Sequence, residues 1–439
     1  MTELGWKYLT REDKAQIVRG IRDGVAYGGP YHVEIHPADR CNIDCFFCST
    51  AALRGTDELP MTRLEELIGE LQALGTRAIR LSGGGEPLFH RRSKEVLRAI
   101  AASGIPIENL TTNAVLLSEE HASILIDCCD QITVSLNTAD EETYASMMQT
   151  PARNFERVLK NVRKLIEQRR RRGSATPRVN LQFLVWRENY RSIPRMYALA
   201  RELDVDTILF NGLSFLKPEQ KMTAEETVEM MALYESVIRI DEFRRITSIE
   251  SYEQDIQPML REISQRLDDE RRERGPVRRL VHLMTRGDLT LRQKLAHRRR
   301  LSALRKVEAA TRGMDDSCVI GWHSMLIRTS GMVAPCCILQ GAPLGNVFEQ
   351  SVRDVWFGER YGRFRRELSR IFHAPNDWEY DGASDQTVVA MCGRKGSEVC
   401  PIKSFYYRPD VDFMRALNGA MGRADANVST SPGPAHWNV

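Results

Sequence analysis

Apolar residues in the first half of the chain follow two alternating patterns. Short runs rich in Val, Ile and Leu are separated by longer segments in which apolar residues recur at i, i+3 and i+4, as in MTRLEELIGELQAL. The first pattern is typical of buried strands and the second of amphipathic helices. The predicted strands are 31–36, 77–82, 107–112, 131–136, 178–185 and 206–211, and the predicted helices include 143–172 and 190–203.

Six β-then-α units in succession predict a parallel sheet. We therefore expect an α/β fold, a partial (β/α)6 TIM-like barrel with a helical insertion and a small C-terminal iron–sulfur domain. In such barrels the loops that follow the strands meet at one rim, where the chemistry takes place. Polar or glycine-rich residues indeed lie within or after each predicted strand: three cysteines at 41–48, GGGEP at 83–87, Asn113, Ser135 and Asn137, Asn180 and Gln182, and Asn211.

The chain divides into five predicted segments. A short N-terminal helix occupies 1–28 and the barrel 29–216. Residues 217–314 are charged and predicted to be a helical insertion, and 315–420 are predicted to form a C-terminal module. The tail, 421–439, is rich in Ser, Pro, Asn and Gly, and we expect it to be disordered.

The small net charge of +3 conceals a basic block. Residues 261–312 contain 16 basic and 7 acidic residues, a local net charge of +9. Such a block could attract an anionic partner, or it could be a solvated helical face. A nucleic-acid surface is expected to interleave aromatic residues for stacking, and this block has no Phe, Tyr or Trp. Nucleic acid is therefore an unlikely partner, and the role of the block stays open.

The cellular compartment is predicted from two features that the sequence lacks, a secretory signal and a membrane-spanning segment. The start of the chain is charged and amphipathic, with no secretory apolar region, and no apolar run approaches the roughly 20 residues that span a bilayer. We expect a cytoplasmic protein without a membrane partner. Because the cytosol keeps thiols reduced, its ten cysteines indicate metal binding or catalysis rather than disulfides.

The most informative motif is the spacing C-x3-C-x2-C of Cys41, Cys45 and Cys48, in the loop after the first predicted strand. Thiolates are the usual ligands of [4Fe–4S] clusters, which normally take four of them. Three close ligands leave one iron open for another molecule. Zinc is the alternative, although zinc sites more often use paired C-x2-C hooks with a fourth ligand nearby.

This spacing resembles the hallmark of the radical S-adenosylmethionine (SAM) superfamily. The resemblance implies that the open iron binds the amino and carboxylate groups of SAM, and that a radical formed from SAM abstracts hydrogen from a substrate. It also implies a set of SAM contacts: Phe47 at the adenine, the GGE motif Gly84, Gly85 and Glu86 at the amino group, Ser135 and Asn137 at the ribose or carboxylate, and, with a looser match, Asn113 and Gln182.

A second set of cysteines lies in the C-terminal module. Residues 321–337 are predicted to form a β-hairpin with its turn at 329–331. The segment 315–405 resembles the SPASM/Twitch domain, which implies one auxiliary [4Fe–4S] cluster held by Cys318, Cys336, Cys392 and Cys400. Cys337 could replace Cys336, and zinc on the same four thiolates is the alternative. Cys128 and Cys129, on an apolar helix, are expected to pack in the core.

The resemblance predicts an enzyme but not its substrate. Our first hypothesis is a radical SAM lyase, dehydratase or oxidoreductase acting on a sugar-, aminoglycoside- or aminocyclitol-type molecule in antibiotic biosynthesis. The alternative is a maturase of ribosomally made peptides, which we rank second because about 30 residues before the first strand are too few for a peptide-recognition domain. Either enzyme needs an electron donor such as flavodoxin or ferredoxin. The catalytic acid or base and the oligomeric state are not predicted.

Overall fold

The computed structural model describes residues 6–48, 50–51, 54–212, 222–240, 247–249, 319–337, 339–340 and 343–373. Helices in these ranges are α1 Arg11–Asp23, α2 Met61–Ala73, α3 Ser93–Ser103, α4 Glu119–Cys128, α5 Glu141–Met148, α6 Arg153–Arg171, α7 Ile193–Leu203, α8 Ala224–Ile240, α9 Ile320–His323, α10 Val352–Phe357 and α11 Glu359–His373. The strands are β1 His32–Ile35, β2 Ala78–Leu81, β3 Ile107–Thr112, β4 Gln131–Ser135, β5 Arg178–Val185, β6 Thr207–Gly212, β7 Thr247–Ile249, β8 Ser324–Ile327, β9 Met332–Ala334 and β10 Gly345–Asn346.

All of these strands form one sheet, in the order β10-β9-β8-β1-β2-β3-β4-β5-β6-β7. Strands β1 to β6 pair with their sequence neighbours in parallel, as successive βα units require. The predicted α/β fold, with the parallel sheet of a partial TIM barrel, is confirmed. Strands β7 and β8 extend the sheet in parallel at its two sides, and β9 and β10 follow β8 as antiparallel strands.

The two faces of the sheet differ in polarity. One face carries Val33, Ile79 and their apolar counterparts, which are buried in the hydrophobic core together with residues of the surrounding helices. The other face is polar: Glu34 pairs in register with Arg80, Arg80 with Asn109, and Thr133 with Asn180. Side chains in register on parallel strands share a face, so these groups lie together. In a partial barrel this polar face is the interior.

Helix boundaries follow local sequence signals. Helix α1 begins at a capping box in which Thr10 and Asp13 satisfy each other's backbone N–H groups, and it ends at Gly24, whose φ of 70° suits glycine. The single helix predicted over 143–172 is in fact two helices, α5 and α6. Gln149 ends α5 in the left-handed region at φ 44°, and Pro151 follows before α6 begins.

Most of the predicted helical insertion lies outside the described residues. Within 217–314 the structure describes only α8 and the short strand β7. The helix agrees with the sequence pattern. The strand was not predicted, because its three residues are too short to show a period of two. No helix in the part of the chain described here has both the length and the apolar character needed to cross a membrane.

The described part of the C-terminal segment is built onto the barrel. Strand β8 lies beside β1, pairing Ile35 with Ile327, and the predicted hairpin is confirmed by the antiparallel pairing of β8 with β9. Trp356 donates its indole N–H to the carbonyl of Gly28 at 2.8 Å, and Ser369 donates to the carbonyl of Ile21 at 2.6 Å. The hairpin is therefore an extension of the barrel sheet.

Buried aromatic and ionisable groups fill the amino-terminal end of the barrel. The ring of Trp6 stacks on His323 with centroids 5.0 Å apart, and His323 stacks on His32. The Nε2 of His32 lies 2.6 Å from a carboxylate oxygen of Glu108. Burial lowers the pKa of His323 well below its usual value. In barrels of this type, the amino-terminal end contributes stability and leaves the opposite rim for chemistry.

Candidate iron–sulfur and SAM site

The three-cysteine loop follows β1, and backbone hydrogen bonds join the two ends of the loop. Ala38 and Glu58 form an isolated antiparallel bridge, the N–H of Asp39 donates to the carbonyl of Asp57 at 3.0 Å, and the N–H of Leu59 donates to Pro37 at 2.9 Å. These backbone bonds hold the two ends of the loop together. The cysteines are thus presented at the carboxyl end of β1, where the sequence predicts the functional rim.

The three thiols lie close enough to influence one another. All are half-buried, and the N–H of Cys48 donates to the carbonyl of Cys45 at 3.1 Å. The pKa of Cys45 is raised to about 12, mainly by burial and in smaller part by the charges of Cys41 and Cys48. Burial likewise raises the pKa of Cys41. Forming thiolates at Cys41 and Cys45 is therefore costly without a cationic group, and binding iron would offset that cost.

The donor set itself bears on what the three-cysteine loop could hold. Cys41, Cys45 and Cys48 supply three thiols at the spacing C-x3-C-x2-C, and thiolates are the usual ligands of a [4Fe–4S] cluster. A structural zinc site usually takes a fourth protein ligand as well. The chemistry of these three residues therefore fits a cluster that leaves one iron open.

Polar groups surround the thiol sulfurs. The side-chain amide of Asn113 lies 3.7 Å from the Sγ of Cys41, and the hydroxyl of Thr50 lies 3.3 Å from the Sγ of Cys48. Asn113 also donates to the side-chain oxygen of Asn42 at 2.9 Å. Donors to sulfur stabilise thiolates and influence the potential of any cluster they hold. The predicted SAM contact Asn113 is therefore also a neighbour of a cluster thiol.

A cation that sequence reasoning missed lies across the cysteine loop. The guanidinium of Arg54 donates to the carbonyl of Ile43 at 3.3 Å and pairs with Asp44 at 2.9 Å. Burial lowers the pKa of Arg54, but Cys48 and the other two thiols raise it more, so that the net shift is upward. Only the tertiary structure reveals this position, because a lone arginine in a loop carries no spacing signal.

The glycine-rich loop after β2 packs directly on the cysteine loop. The N–H of Gly85 donates to Ala38 at 3.1 Å, and the N–H of Glu86 donates to Arg40 at 2.9 Å. A Cβ atom added to Gly85 would lie 2.1 Å from the carbonyl oxygen of Arg40, and one added to Gly84 would lie 2.7 Å from Asp39. Glycine is required here because the two loops approach backbone to backbone.

Glu86 is buried, and its carboxylate is engaged by the protein itself. It accepts hydrogen bonds from the N–H of Leu88 at 3.1 Å, the hydroxyl of Thr112 at 2.6 Å and the N–H of Asn113 at 2.7 Å. Burial raises the pKa of Glu86, opposed in part by these three donors. The carboxylate therefore fastens the loop after β2 to the end of β3.

The polar residues at the ends of β4 and β5 form one cluster. The hydroxyl of Ser135 lies 3.3 Å from the side-chain oxygen of Gln182, and the N–H of Asn137 donates to the carbonyl of Gln182 at 2.8 Å. Asn137 is buried with φ 63°, and its side-chain oxygen accepts the N–H of Leu184 at 3.3 Å. Ser135 and Gln182 are only half-buried and accessible to a ligand, whereas Asn137 mainly supports the turn.

Aromatic rings flank the cysteine loop. Phe47 is half-buried and meets Phe46 edge-on with centroids 5.3 Å apart, and Phe46 packs against Trp186 at 4.9 Å. Trp186 follows β5, so these rings connect the cysteine loop to the far side of the rim. Their apolar faces could cover a flat base such as adenine.

Of the predicted auxiliary ligands, only Cys336 lies in a described range. Cys318, Cys392 and Cys400 lie outside it. Cys336 and its neighbour Cys337 follow β9 and are half-buried. Tyr361 lies near Cys336: burial raises its pKa, and the thiol adds to the shift.

The prediction that Cys128 and Cys129 pack in the core is confirmed for Cys129, whereas Cys128 is half-buried and packs against the core. The thiol of Cys129 is buried and donates to the carbonyl of Gln131 at 3.0 Å, and that of Cys128 donates to Ile124 at 3.2 Å. Both thiols are satisfied by backbone carbonyls of the core. Neither cysteine is part of the three-cysteine loop.

A parallel α/β sheet that presents three thiols and a glycine-rich loop at one rim defines an iron–sulfur protein of the partial-barrel type. Residues 35–200 match the model of the radical SAM superfamily, and residues 318–378 match SPASM, an iron–sulfur cluster-binding domain, so the chain contains a radical SAM domain followed by an iron–sulfur domain. These two domains imply a [4Fe–4S] cluster with SAM and auxiliary iron–sulfur binding, as expected from the sequence. The number of auxiliary clusters, predicted to be one, stays a prediction.

Curated relatives match less than half of the chain. The chain is 33% identical over 210 residues to the GTP 3′,8-cyclase of Chlorobaculum tepidum, an alignment covering 47% of this chain and 59% of that protein. It is 26% identical over 206 residues to a probable GTP 3′,8-cyclase of Saccharolobus islandicus, covering 45% and 64%. The chain thus spans less than two thirds of either relative.

Solved structures share the fold over a greater length. SuiB of Streptococcus suis, bound to the precursor peptide SuiA, superposes with a TM-score of 0.54 at 18% identity, covering 80% of this chain and 70% of SuiB. The enzyme anSMEcpe, with bound AdoMet and a peptide, gives a TM-score of 0.51 at 12% identity, covering 89% and 96%. At these identities the likeness concerns the fold alone.

Proposed function

We propose that this radical SAM enzyme abstracts hydrogen from a small polar substrate lying over the carboxyl ends of the barrel strands. Cys41, Cys45 and Cys48 would hold the cluster and leave one iron for SAM. When bound, the cluster and SAM supply a 5′-deoxyadenosyl radical, which is the species that attacks the substrate. The protein contributes position and exclusion of water.

The residues around the SAM site have different tasks in this proposal. The backbone of Gly84 and Gly85 meets the amino group of SAM, while Glu86 acts as a positioning residue, since its carboxylate is occupied by three donors of the chain. Ser135 and Gln182 are half-buried and available to hydroxyl or carboxylate groups of SAM. Phe47 and the neighbouring rings offer an apolar surface to the adenine.

The observation that carries the substrate class is the unsatisfied polarity of the barrel interior. His36 follows β1 and is 1% exposed; its Nε2 lies 3.0 Å from Glu34, while its Nδ1 has no hydrogen-bond partner among the described residues. Asn211, in β6, is also 1% exposed, and its Oδ1 lacks a partner within the same ranges. Buried polar atoms normally have partners, so a ligand with hydrogen-bonding groups suits this interior.

Within polar substrates, the sequence-based expectation of a sugar- or aminocyclitol-type molecule remains our first candidate, because its hydroxyl and amino groups match such a lining. The outcome would be dehydration, dehydrogenation or epimerisation. Neither curated relative described above is named for a sugar, however, and their names make a nucleotide another polar ligand to test. We retain the auxiliary cluster, ligated by Cys318, Cys336, Cys392 and Cys400, as an electron-transfer group.

The second candidate is modification of a peptide. It is favoured by the SPASM match together with a shared fold over 80% of this chain with SuiB, which was solved with its precursor peptide. In that case a polar side chain of the peptide would enter the barrel interior and meet His36 and Asn211. Both candidates therefore require polar groups on the substrate that can form hydrogen bonds with His36 and Asn211. They differ in the size of the substrate.

The test is to incubate the reduced, reconstituted enzyme with SAM and panels of aminocyclitols and sugars, nucleotides, and precursor peptides. We expect a sugar or aminocyclitol to stimulate formation of 5′-deoxyadenosine and to transfer deuterium from one labelled carbon into it. Stimulation by a peptide alone would favour the second candidate. No formation of 5′-deoxyadenosine with any substrate, despite a full complement of iron, would contradict the proposal itself.

Two histidine variants test the role of the interior. His36→Gln removes the imidazole that lacks a partner at Nδ1, and we expect KM for the substrate to rise about tenfold because one hydrogen bond is lost. His121→Gln is the matched control: His121 is also buried, but its ring nitrogens lie 3.0 Å from Ser93 and 2.9 Å from Ser118, between helices. The control should alter stability and leave KM unchanged.

A further inference from the structure

Asp39, two residues before the first cysteine of the loop, is held by the C-terminal hairpin. Its side chain is buried, with 4% exposure. One carboxylate oxygen accepts the hydroxyl hydrogen of Thr329, and the other lies 3.6 Å from the guanidinium of Arg328. Thr329 and Asp39 are 290 residues apart in sequence.

The parallel pairing of β1 with β8 brings these residues together. Ile35 and Ile327, the last residues of the two strands, are register partners. The chain after β8 therefore leaves the sheet beside the chain after β1. Arg328 and Thr329 form the start of the hairpin turn, in which the N–H of Gly331 donates to the carbonyl of Arg328 at 2.9 Å. The rigid turn fixes where the two side chains meet Asp39.

Asp39 also touches both loops of the SAM site. Its backbone N–H closes the base of the cysteine loop by donating to Asp57 at 3.0 Å. Its Oδ1 lies 2.7 Å from the position that a Cβ atom would take at Gly84, so the carboxylate packs directly on the glycine-rich loop. One carboxylate thus joins the cysteine loop, the glycine-rich loop and the hairpin turn.

We propose that Thr329 and Arg328 are positioning residues of the SAM centre, and that the C-terminal hairpin sets the geometry of the cysteine loop through Asp39. This inference rests on the proposed function, in which Cys41, Cys45 and Cys48 hold the cluster that binds SAM. Removing a carboxylate from water costs free energy, and hydrogen bonds or ion pairs offset that cost only in a suitable geometry. Asp39 is therefore held in the orientation that keeps both Thr329 and Arg328 within reach. Loss of either partner lets Asp39, and with it the loop two residues from Cys41, move.

The same hairpin carries a proposed ligand of the auxiliary cluster. Cys336 follows β9, the second strand of the hairpin. Strand β9 pairs with β8 through Ile327 and Val333, immediately before the turn that holds Asp39. One short hairpin therefore connects the auxiliary-cluster segment with the loop of the SAM cluster. In this arrangement the two cluster sites share a structural support.

The experiment compares two conservative variants of the full-length holoenzyme. Thr329→Val keeps the shape of the side chain and removes the hydroxyl bonded to Asp39. Ser369→Ala is the matched control, since it removes a buried hydroxyl that also ties the C-terminal segment to the N-terminal part, through the carbonyl of Ile21 at 2.6 Å. The measurements are iron content, Tm, Kd for SAM, and the EPR spectrum of the reduced SAM cluster with and without SAM.

We expect Thr329→Val to keep its iron but to bind SAM about tenfold more weakly, with an altered EPR change on SAM addition. Thr329→Ser, which keeps the hydroxyl, should restore both. Ser369→Ala should lower Tm and leave SAM affinity and the EPR spectrum as in the parent protein. If Thr329→Val does not fold, Arg328→Gln takes its place with the same expectations, because it removes the other partner of Asp39.

Unchanged SAM affinity and EPR in Thr329→Val, or an equal loss of SAM affinity in Ser369→Ala, would overturn the inference. Failure of the proposed function is recognised separately. In that case the parent protein itself binds no SAM, or replacement of Cys41, Cys45 and Cys48 leaves its iron content unchanged.

Discussion

The side-chain amide nitrogen of Asn113 lies 3.7 Å from the Sγ of Cys41. The same residue donates its backbone N–H to the buried carboxylate of Glu86 at 2.7 Å. The end of β3 is thereby fixed to the glycine-rich loop on one side and directed toward a proposed cluster thiolate on the other. The side-chain amide of Asn113 also donates to the side-chain oxygen of Asn42 at 2.9 Å, a bond that fixes its orientation.

Asn113→Ala should lower the reduction potential of the SAM cluster. A hydrogen-bond donor to a cluster sulfur stabilises the more negative, reduced state. Loss of one such bond, at about 1 kcal/mol, corresponds to roughly 40 mV for a one-electron couple. An EPR-monitored redox titration measures the shift. Asn161→Ala is the control, since Asn161 donates to Ala114 at 2.9 Å behind the same loop; an equal shift there would contradict a direct effect on sulfur.

Gly85→Ala should abolish SAM binding and reduce retention of the first cluster. The added methyl group would lie 2.1 Å from the carbonyl oxygen of Arg40, a clash with backbone that only separation of the two loops can relieve. Iron content and SAM affinity are the measurements. Gly69→Ala in α2 is the control, because its Cβ would meet nothing within 4 Å; it should stabilise the protein by about 0.5–1 kcal/mol. SAM binding by Gly85→Ala at parental strength would refute the close docking of the loops.

Replacing Cys41, Cys45 and Cys48 together by Ala should remove the SAM cluster and leave the auxiliary one. Two four-iron clusters give about eight irons per chain after anaerobic reconstitution, and the triple variant should keep about four, with no cleavage of SAM. Cys128→Ala is the control: its thiol donates to the carbonyl of Ile124 in a helix, so its iron content should equal that of the parent. An iron count unaffected by the triple replacement would exclude these cysteines as ligands.

Glu86 should make stability depend on pH. Burial raises the pKa of Glu86 above the ordinary value of 4.5, so the folded state disfavours the charged form. The stabilisation from the protonated carboxyl is fully present below pH 4.5 and is lost as pH rises through the raised pKa. Urea unfolding of the parent and Glu86→Gln between pH 4.5 and 8 measures this. The stability advantage of the parent should shrink as pH rises; an advantage that grows with pH would show that the three donors outweigh burial.

Much of the fold and part of the site follow from the sequence alone. Periodicity identified the strands β1 to β6 within one or two residues, because burial against a common core requires an apolar pattern in each. The βα order predicted a parallel sheet, and the spacing of Cys41, Cys45 and Cys48 singled out the loop that we propose holds the cluster. These features are local, or they follow from the order of elements along the chain.

The tertiary structure decided what depends on contacts distant in sequence. Periodicity shows that a strand is buried but not which strand lies beside it, so the pairing of β8 with β1 could not be predicted. The contact of Thr329 with Asp39 is a consequence of that pairing. The engagement of Glu86 by Thr112 and the position of Arg54 depend in the same way on how loops distant from any periodic pattern pack together. The hydrogen-bond partners of a loop side chain depend on which other loops pack against it. Loop sequences have no periodic pattern, so these tertiary contacts cannot be inferred from the sequence.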